Sequence, residues 1–516
     1  MKFDSGYNHG KTWLRGSIVC LAFLLLAIAI GWGFSSPALA EESVPPDKII
    51  LTWTTDPATS QTITWLMSGN SPAGIQYSEA DKFNGDFESA LQIEVGGGEF
   101  DSTHFRYTAN ITGLLPDTTY VYRVGREGAW SQPLSFTTAA DTETFSFLYM
   151  GDVQSGYAEW GKVLTSVYQE YPVRFSLLGG DLTDNENEWG QFLDAATRAF
   201  SRIPVMPTMG NHDGYMYLEF FALPDNGPGG FEQTVYSFDY GNAHFVILDS
   251  SNNTDEGIKQ WLQQDLQNTD ETWKFVVFHH PAYPVASDYK GIDQSIRENW
   301  IPILEQYNVD MVFVGHQHMY MRTYPIYQGE VQTDPESYGI VYVMGNAGSK
   351  TYAGGGDFPY IAKEQTGSNY QVIDIDGNVL TLTSKKTNGD LIEAYTIDKV
   401  SVSPEKPQYK VIPQEDSVYS ITSIDGVKTM TVNQNQTGFK YFTVSIEPVK
   451  AHEGTETAVF THLRNSLQLQ LNASEADFDI VRTAKAGFNV EPNDEVRVYI
   501  VDQLSNDTAS NPVVLQ

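Results

Sequence analysis

A multidomain α+β fold, β-rich at both ends around a strand–helix centre, is predicted by three observations on the 516-residue sequence. The chain is too long for one hydrophobic core, so about three domains are expected. Residues 44–139 and 408–516 read as short strands broken by turn signals. Residues 143–399 instead alternate strands with helices, and end in strands alone. Hydrophobic residues at 41% and aromatic residues at 13% indicate a folded protein.

Residues 1–40 read as an export signal. Lys2, Lys11 and Arg15 precede the apolar run Ile18–Phe34, and Ala38-Leu39-Ala40 matches a small-x-small cleavage site. The run is close to membrane-spanning length, so an uncleaved anchor is the alternative. Gly31, Gly33 and the cleavage site favour removal, and hence a secreted or cell-surface protein with no stable membrane insertion afterwards. Cys20 is the chain's one cysteine and lies in this segment. Its removal would leave no disulfide, thiolate ligand or cysteine nucleophile.

In residues 44–139 the runs Ile49–Thr54, Thr62–Met67, Ala73–Tyr77, Phe105–Ile111, Thr119–Val124 and Leu134–Thr137 are separated by Asp-Pro, Gly-Asn and Pro-Asp. This is the pattern of a small β-sandwich. The stretch Ile111–Val124 resembles a fibronectin type III module near its tyrosine corner. In the centre, Ala158–Tyr171, Glu186–Phe200, Glu256–Leu266 and Ile292–Tyr307 fit helices, with Asn185 and Asp255 as N-caps. Phe245–Leu248 fits a buried strand, and Ile340–Met344, Tyr370–Ile375, Val379–Ser384 and Leu391–Ile397 follow. Residues 400–407, with two prolines, form a linker to the β-rich region 408–516, which carries no chemical motif. Its histidines, His452 and His462, are isolated and read as structural or surface residues, as does His104 in the first module.

The chain carries 31 basic against 65 acidic residues, a formal charge of −34, and no Lys/Arg-rich run. That argues against nucleic-acid binding by phosphate neutralisation. The charge reads mainly as a solubility feature of an extracellular protein.

Five blocks carry the chemistry: Gly151-Asp152-Val153-Gln154, Gly180-Asp181 through Asn185, Gly210-Asn211-His212-Asp213, His279-His280-Pro281 and Gly315-His316-Gln317-His318. Four directly follow the apolar runs Phe145–Met150, Phe175–Leu178, Phe275–Phe278 and Met311–Val314, and the third follows Ile203–Met209. Polar groups at the carboxyl ends of successive strands converge on one crevice. Carboxylates, an amide and imidazoles together suit two divalent cations such as Mn, Fe or Zn. Such a pair, about 3.5–4 Å apart, makes a nucleophile of water and clamps a phosphate.

The order Gly-Asp, Gly-Asp, Gly-Asn-His-Asp, His-x-Pro, Gly-His-x-His resembles the calcineurin-like metallophosphoesterase family. The string Gly315–Tyr324 and the preceding β module resemble its purple acid phosphatase branch. The resemblance covers residues 44–399 and implies an αββα sandwich of two sheets flanked by helices. It also implies a dinuclear site and attack of a metal-bound hydroxide on a small-molecule phosphoester. By position, Asp181 would bridge the metals, Asp152 and His318 would complete one site, and Asn211, His279 and His316 the other. His212 would face the phosphate and assist the leaving group, its ring oriented by Asp213. His280 would be an outer or phosphate-contacting group.

Two positions depart from the branch. Asp184 stands where it has a tyrosine, so an iron–tyrosinate colour is not expected. Gln154 stands where the wider family often has histidine; it would lend its amide oxygen to a metal, favouring Mn²⁺ or Fe²⁺, or hydrogen-bond a metal-bound water. Arg322 is a candidate phosphate ligand, or an anchor to a buried carboxylate. Asn346, in Gly345–Gly348, is a candidate for the pocket rim, and His244 opens a buried strand as a structural residue. The expected function is phosphomonoester hydrolysis by an exported enzyme. The alternatives are a phosphodiesterase or nucleotide pyrophosphatase on the same site, and a non-catalytic extracellular binding protein.

Overall fold

The computed structural model describes residues 44–286, 291–333, 338–399 apart from Gly355 and Asp357, 409–424, 427–449, 454–464 and 467–502. The expected export signal, His452 and the expected linker 400–407 lie outside the described residues. The chain forms two compact units, the first reaching Ile397 and the second holding the C-terminal strands.

The first unit opens with a β-sandwich. Its sheets are Asp47–Thr52, Ser60–Ser68, His104–Thr112 and Gly98–Glu99 on one side, and Leu91–Val95, Ala73–Glu79, Thr119–Arg126, Ala129–Trp130 and Leu134–Thr137 on the other. Alternate residues of these strands, among them Trp65, Ile75, Tyr107 and Tyr122, fill the core. Tyr120 Oη accepts the Leu115 N–H at 2.9 Å and so pins the corner before its own strand. Leu91–Val95 was not foreseen, because its residues are exposed or half-buried and show no apolar alternation.

The central domain is built on two sheets. One runs Val205–Pro207, Val173–Leu178, Thr144–Met150, Asn369–Asp376, Val379–Lys386, Leu391–Asp398; its first three strands are parallel. The other runs Tyr236–Tyr240, Ala243–Ile247, Trp273–Val277, Met311–Val314, Val341–Met344, Met319–Thr323, Ile361–Thr366. Strands covered on both faces need apolar residues at both parities, and these have them. Phe245, Phe275 and Phe313 face the first sheet, where Phe147 meets all three at ring separations of 5.3, 5.4 and 6.0 Å. Val246, Val276 and Val312 point the other way, into the helices Glu256–Asn268, Ile292–Asn299 and Ile301–Gln306. Tyr157–Glu170 and Trp189–Phe200 belong to the first sheet's core, Trp160 donating its indole N–H to Met150 Sδ.

Helix starts follow the expected caps in part. Asp255 accepts the N–H groups of Gly257 and Ile258. Asn185 caps a 3₁₀ turn, Glu186–Glu188, before the α-helix begins at Trp189. The single helix expected over Ile292–Tyr307 is two, broken at Trp300. Pro302 has no N–H to continue the first helix and sits in the opening turn of the second.

The second unit pairs the sheet Tyr409–Pro413, Gly438–Pro448, Thr483–Val490 with a five-stranded one running Tyr419–Ile424, Val427–Val432, Glu495–Val501, Glu456–Arg464, Leu467–Ala476. Its core holds Phe442, Phe460, Phe488 and Val498. His462 is buried there, with Nε2 2.8 Å from Asp494 Oδ2. The same carboxylate takes Arg464 through two bonds of 2.8 and 2.9 Å, a structural cluster.

Candidate metal centre

The site forms where parallel strands of both sheets end. Thr144–Met150, Val173–Leu178 and Val205–Pro207 lead into Asp152, Asp181 and Asn211, while Trp273–Val277 and Met311–Val314 lead into His279 and the His316–His318 turn. The loops are packed too closely for side chains on their glycines. A Cβ on Gly210 would lie 2.1 Å from the Asp181 nitrogen, and one on Gly315 2.7 Å from Asp152 Oδ2. Asp152, Asp181, His316 and His318 all have positive φ, at 34°, 50°, 75° and 48°. Such a backbone is uncommon outside glycine, although Asp and His adopt it more readily than most, and it is often imposed by surrounding structure at functional sites.

Side chains remote in sequence thereby meet. Asp181, His279 and His316 form one group and Asp152, Asp181 and His318 another, with ligand atoms within 4.8 Å of one another in each. Asp181 Oδ2 lies 3.2 Å from His279 Nε2, and Asp181 Oδ1 accepts the backbone N–H of His212 at 2.9 Å. His316 Nδ1 faces Asn211 Oδ1 at 3.1 Å and His279 Nε2 at 3.2 Å, bringing the amide into the group of His279 and His316.

Outer contacts set the tautomers. His279 Nδ1–H donates to the Gly179 carbonyl at 2.9 Å, which turns Nε2 inward. His318 Nδ1–H donates to the Lys350 carbonyl at 3.2 Å, leaving Nε2 3.8 Å from Asp152 Oδ1. Such second contacts fix ligand imidazoles at metal sites. Burial keeps His316 and His318 neutral, lowering them to about 3 and about 4. Burial also raises the Asp152 carboxyl well above its usual range. For His279 burial opposes charge, but the Asp181 carboxylate outweighs it and raises the ring to about 10. Burial works against Asp181 too, yet His279 holds it below the ordinary carboxylate value.

This donor set fits a pair of divalent cations. Asp152 Oδ2 is buried with no hydrogen-bond partner among the described residues, which is costly for a carboxylate oxygen unless a cation satisfies it. A shared carboxylate, imidazoles and an amide oxygen match Mn, Fe or Zn.

Asp213, Gln154 and Asn346 make contacts other than the expected ones, and Arg322 takes the second of its two readings. Asp213 does not orient His212. Its Oδ1 accepts the N–H groups of Leu182 and Thr183 and its Oδ2 that of Gly210, while His212 Nδ1 bonds the Asp184 carbonyl at 2.9 Å. Gln154 does not turn its oxygen to the centre. That oxygen accepts Lys350 Nζ at 3.0 Å, and Nε2 donates to Asp181 Oδ2 at 3.0 Å, because an ammonium is the strongest donor in reach. Of the two readings of Arg322, the structure shows the anchor to a buried carboxylate. Glu393 takes it through two bonds of 3.1 and 2.8 Å, and Tyr395 covers it at 4.0 Å. Asn346 is fully buried rather than on a rim, and its Nδ2 donates to the Lys350 carbonyl that also holds His318.

His280 is buried beside the centre. Ser250 Oγ accepts its backbone N–H and lies 2.8 Å from its Nδ1, and its ring lies 4.6 Å from that of His316. Burial lowers it to about 2. His212 is exposed at the opening, and His244 is buried between Asp239 and Asp265, away from the centre. Lys350, Ser250 and Glu393 were missed, since no motif or periodicity marks them.

Comparison with known proteins gives the same parts. Residues 145–320 match the calcineurin-like phosphoesterase family, and residues 46–138 the purple acid phosphatase N-terminal domain. The chain is 30% identical over 278 residues to an uncharacterized protein of Mycobacterium tuberculosis, covering 44% of this chain and 52% of that protein. It is 30% identical over 240 residues to purple acid phosphatase 22 of Arabidopsis thaliana, covering 42% and 53%. The chain thus spans about half the length of these curated relatives. The structure of a purple acid phosphatase from yellow lupin (Lupinus luteus) seeds shares the fold, with a TM-score of 0.60 at 18% identity over 70% of this chain and 77% of that one.

Proposed function

We propose that this chain, which carries a calcineurin-like phosphoesterase domain behind a purple acid phosphatase N-terminal domain, is an exported, metal-dependent hydrolase of phosphomonoesters. The observation that supports this most directly is one carboxylate, Asp181, common to two groups of ligand atoms. When bound, two divalent cations supply a nucleophile from water and neutralise the phosphoryl oxygens. Asp152, Asp181 and His318 would hold one, and Asp181, Asn211, His279 and His316 the other.

The chain's own groups do the rest. His212 stands at the opening with Nδ1–H tied to the Asp184 carbonyl, so Nε2 is the ring atom left to pass a proton to the departing alkoxide, which it does from the imidazolium form, leaving the neutral ring. The backbone N–H of His212 on Asp181 Oδ1 holds the main chain at His212 against the shared carboxylate. Asp213 clamps the Asp181 and Asn211 loops together through three backbone donors. His280 keeps its Nδ1 on Ser250, which leaves Nε2–H as a donor.

Monoesters are favoured as substrates because several relatives bear the name purple acid phosphatase. Export rests on residues 1–40. The test compares metal-loaded protein on an aryl phosphate monoester and its matching diester. Faster turnover of the monoester is expected; a diester preference, or turnover of neither, would reject the proposal.

A further inference from the structure

Lys350 stands beside the centre, and no motif led to it. Its Nζ donates to Gln154 Oε1 at 3.0 Å and to Asp184 Oδ1 at 3.2 Å. These are the two residues that depart from the purple acid phosphatase pattern, and one ammonium binds both. Gln154 relays the contact inward to Asp181 Oδ2. The main chain at Lys350 is fixed as well, since its carbonyl takes His318 Nδ1 and Asn346 Nδ2. The ammonium is therefore tied through Gln154 to Asp181, the carboxylate common to both ligand groups, and the main chain of Lys350 to His318.

Its two partners differ in exposure. Gln154 is fully buried, whereas the side chains of Lys350 and Asp184 are 32% and 41% exposed. The cation thus lies between a buried amide oxygen and a carboxylate that water reaches. An ion pair this exposed contributes little, so a dianion arriving from solvent displaces Asp184 at small cost. Two N–H bonds are engaged and a lysine ammonium has three. Arg322, the other cation considered for phosphate, is held by Glu393.

We infer that Lys350 binds a peripheral phosphoryl oxygen and selects dianionic monoesters over monoanionic diesters, an inference that rests on the phosphoesterase reading above. Coulomb attraction scales with ligand charge, so one added cation favours the dianion over the monoanion at the same distance. A diester also replaces one peripheral oxygen by an organic group, which removes a partner for the ammonium. A lysine that merely neutralised Asp184 would affect both esters alike.

The test uses the full chain, loaded with the same metal, as wild type, Lys350→Met and Lys350→Arg. Elemental analysis first confirms equal metal content. Lys350→Met is expected to lower kcat/KM for an aryl phosphate monoester about tenfold or more, and for the matching diester less than about threefold. Calorimetry with inorganic phosphate is expected to show binding weakened about tenfold, and Lys350→Arg to restore most of both losses. Equal losses on the two esters, or unchanged phosphate affinity in Lys350→Met, would overturn the inference. If loaded wild type hydrolyses neither ester, the phosphoesterase reading fails by itself. The phosphate titration then decides the role of Lys350.

Discussion

Asp213 grips the loop of Asp181: its Oδ1 accepts the N–H of Leu182 at 2.7 Å, and its Oδ2 that of Gly210 at 2.7 Å. The carboxyl is fully buried, and burial raises it to about 7, with the charge of Asp181 acting in the same direction. Asp213→Ala strands buried backbone donors and frees two ligand loops from each other. A loss of about 3 kcal/mol is expected, together with weaker metal binding. Denaturant unfolding and metal titration check the two effects.

Arg322 and Glu393 form a pair whose side chains are 11% and 14% exposed. Arg322→Met leaves that carboxylate buried without its counter-charge, although the Tyr320 hydroxyl still donates to it, a loss of about 3 kcal/mol. Adding Glu393→Leu should recover most of it. Both outcomes appear in thermal unfolding, and the KM for substrate should not move in either variant.

His244 lies between Asp239 Oδ1 at 2.6 Å and Asp265 Oδ2 at 2.9 Å, with Glu271 also within its field. Burial opposes its charge, but the two carboxylates raise it from 6.5 to about 9. A raised histidine gives stability that is fully present below 6.5 and lost as pH rises through about 9. The loss is at most about 3 kcal/mol, since each tenfold gain in proton affinity on folding is worth about 1.4 kcal/mol. Unfolding midpoints between pH 6 and 10 should fall in the wild type and flatten in His244→Gln.

The N-terminal module is joined to the central domain by core contacts. Trp53 is 2% exposed and packs on Phe175 and Phe238 at 5.4 and 5.8 Å. Tyr122 Oη donates to the Ser201 carbonyl at 2.6 Å. Trp53→Ala is expected to lower stability by about 3–5 kcal/mol. A single cooperative transition by calorimetry is expected for this unit, and independent melting of the module would count against it.

What was legible in the sequence was what local pattern encodes. Apolar runs ending in Gly-Asp or Gly-His mark strand ends, so the ligand blocks stood out, and with them the order of the core strands. Ile361–Thr366 was not legible because an edge strand with one half-exposed face has no apolar period. The break at Trp300 was hidden because its buried ring fits the helical period. Hydrogen-bond partners were the main failure. Glu393 is 71 positions from Arg322, and Lys350 is 196 from Gln154. Only tertiary folding decides which distant carboxylate or amide a cation meets.

Metal content of the wild type and Asp181→Asn, after equal loading, tests the shared carboxylate most directly. About two divalent ions per chain are expected in the wild type. In Asp181→Asn at least one should be lost, with affinity for the other reduced about tenfold or more. Retention of both ions at unchanged affinity, or their absence from metal-replete wild type, would contradict a centre built around Asp181.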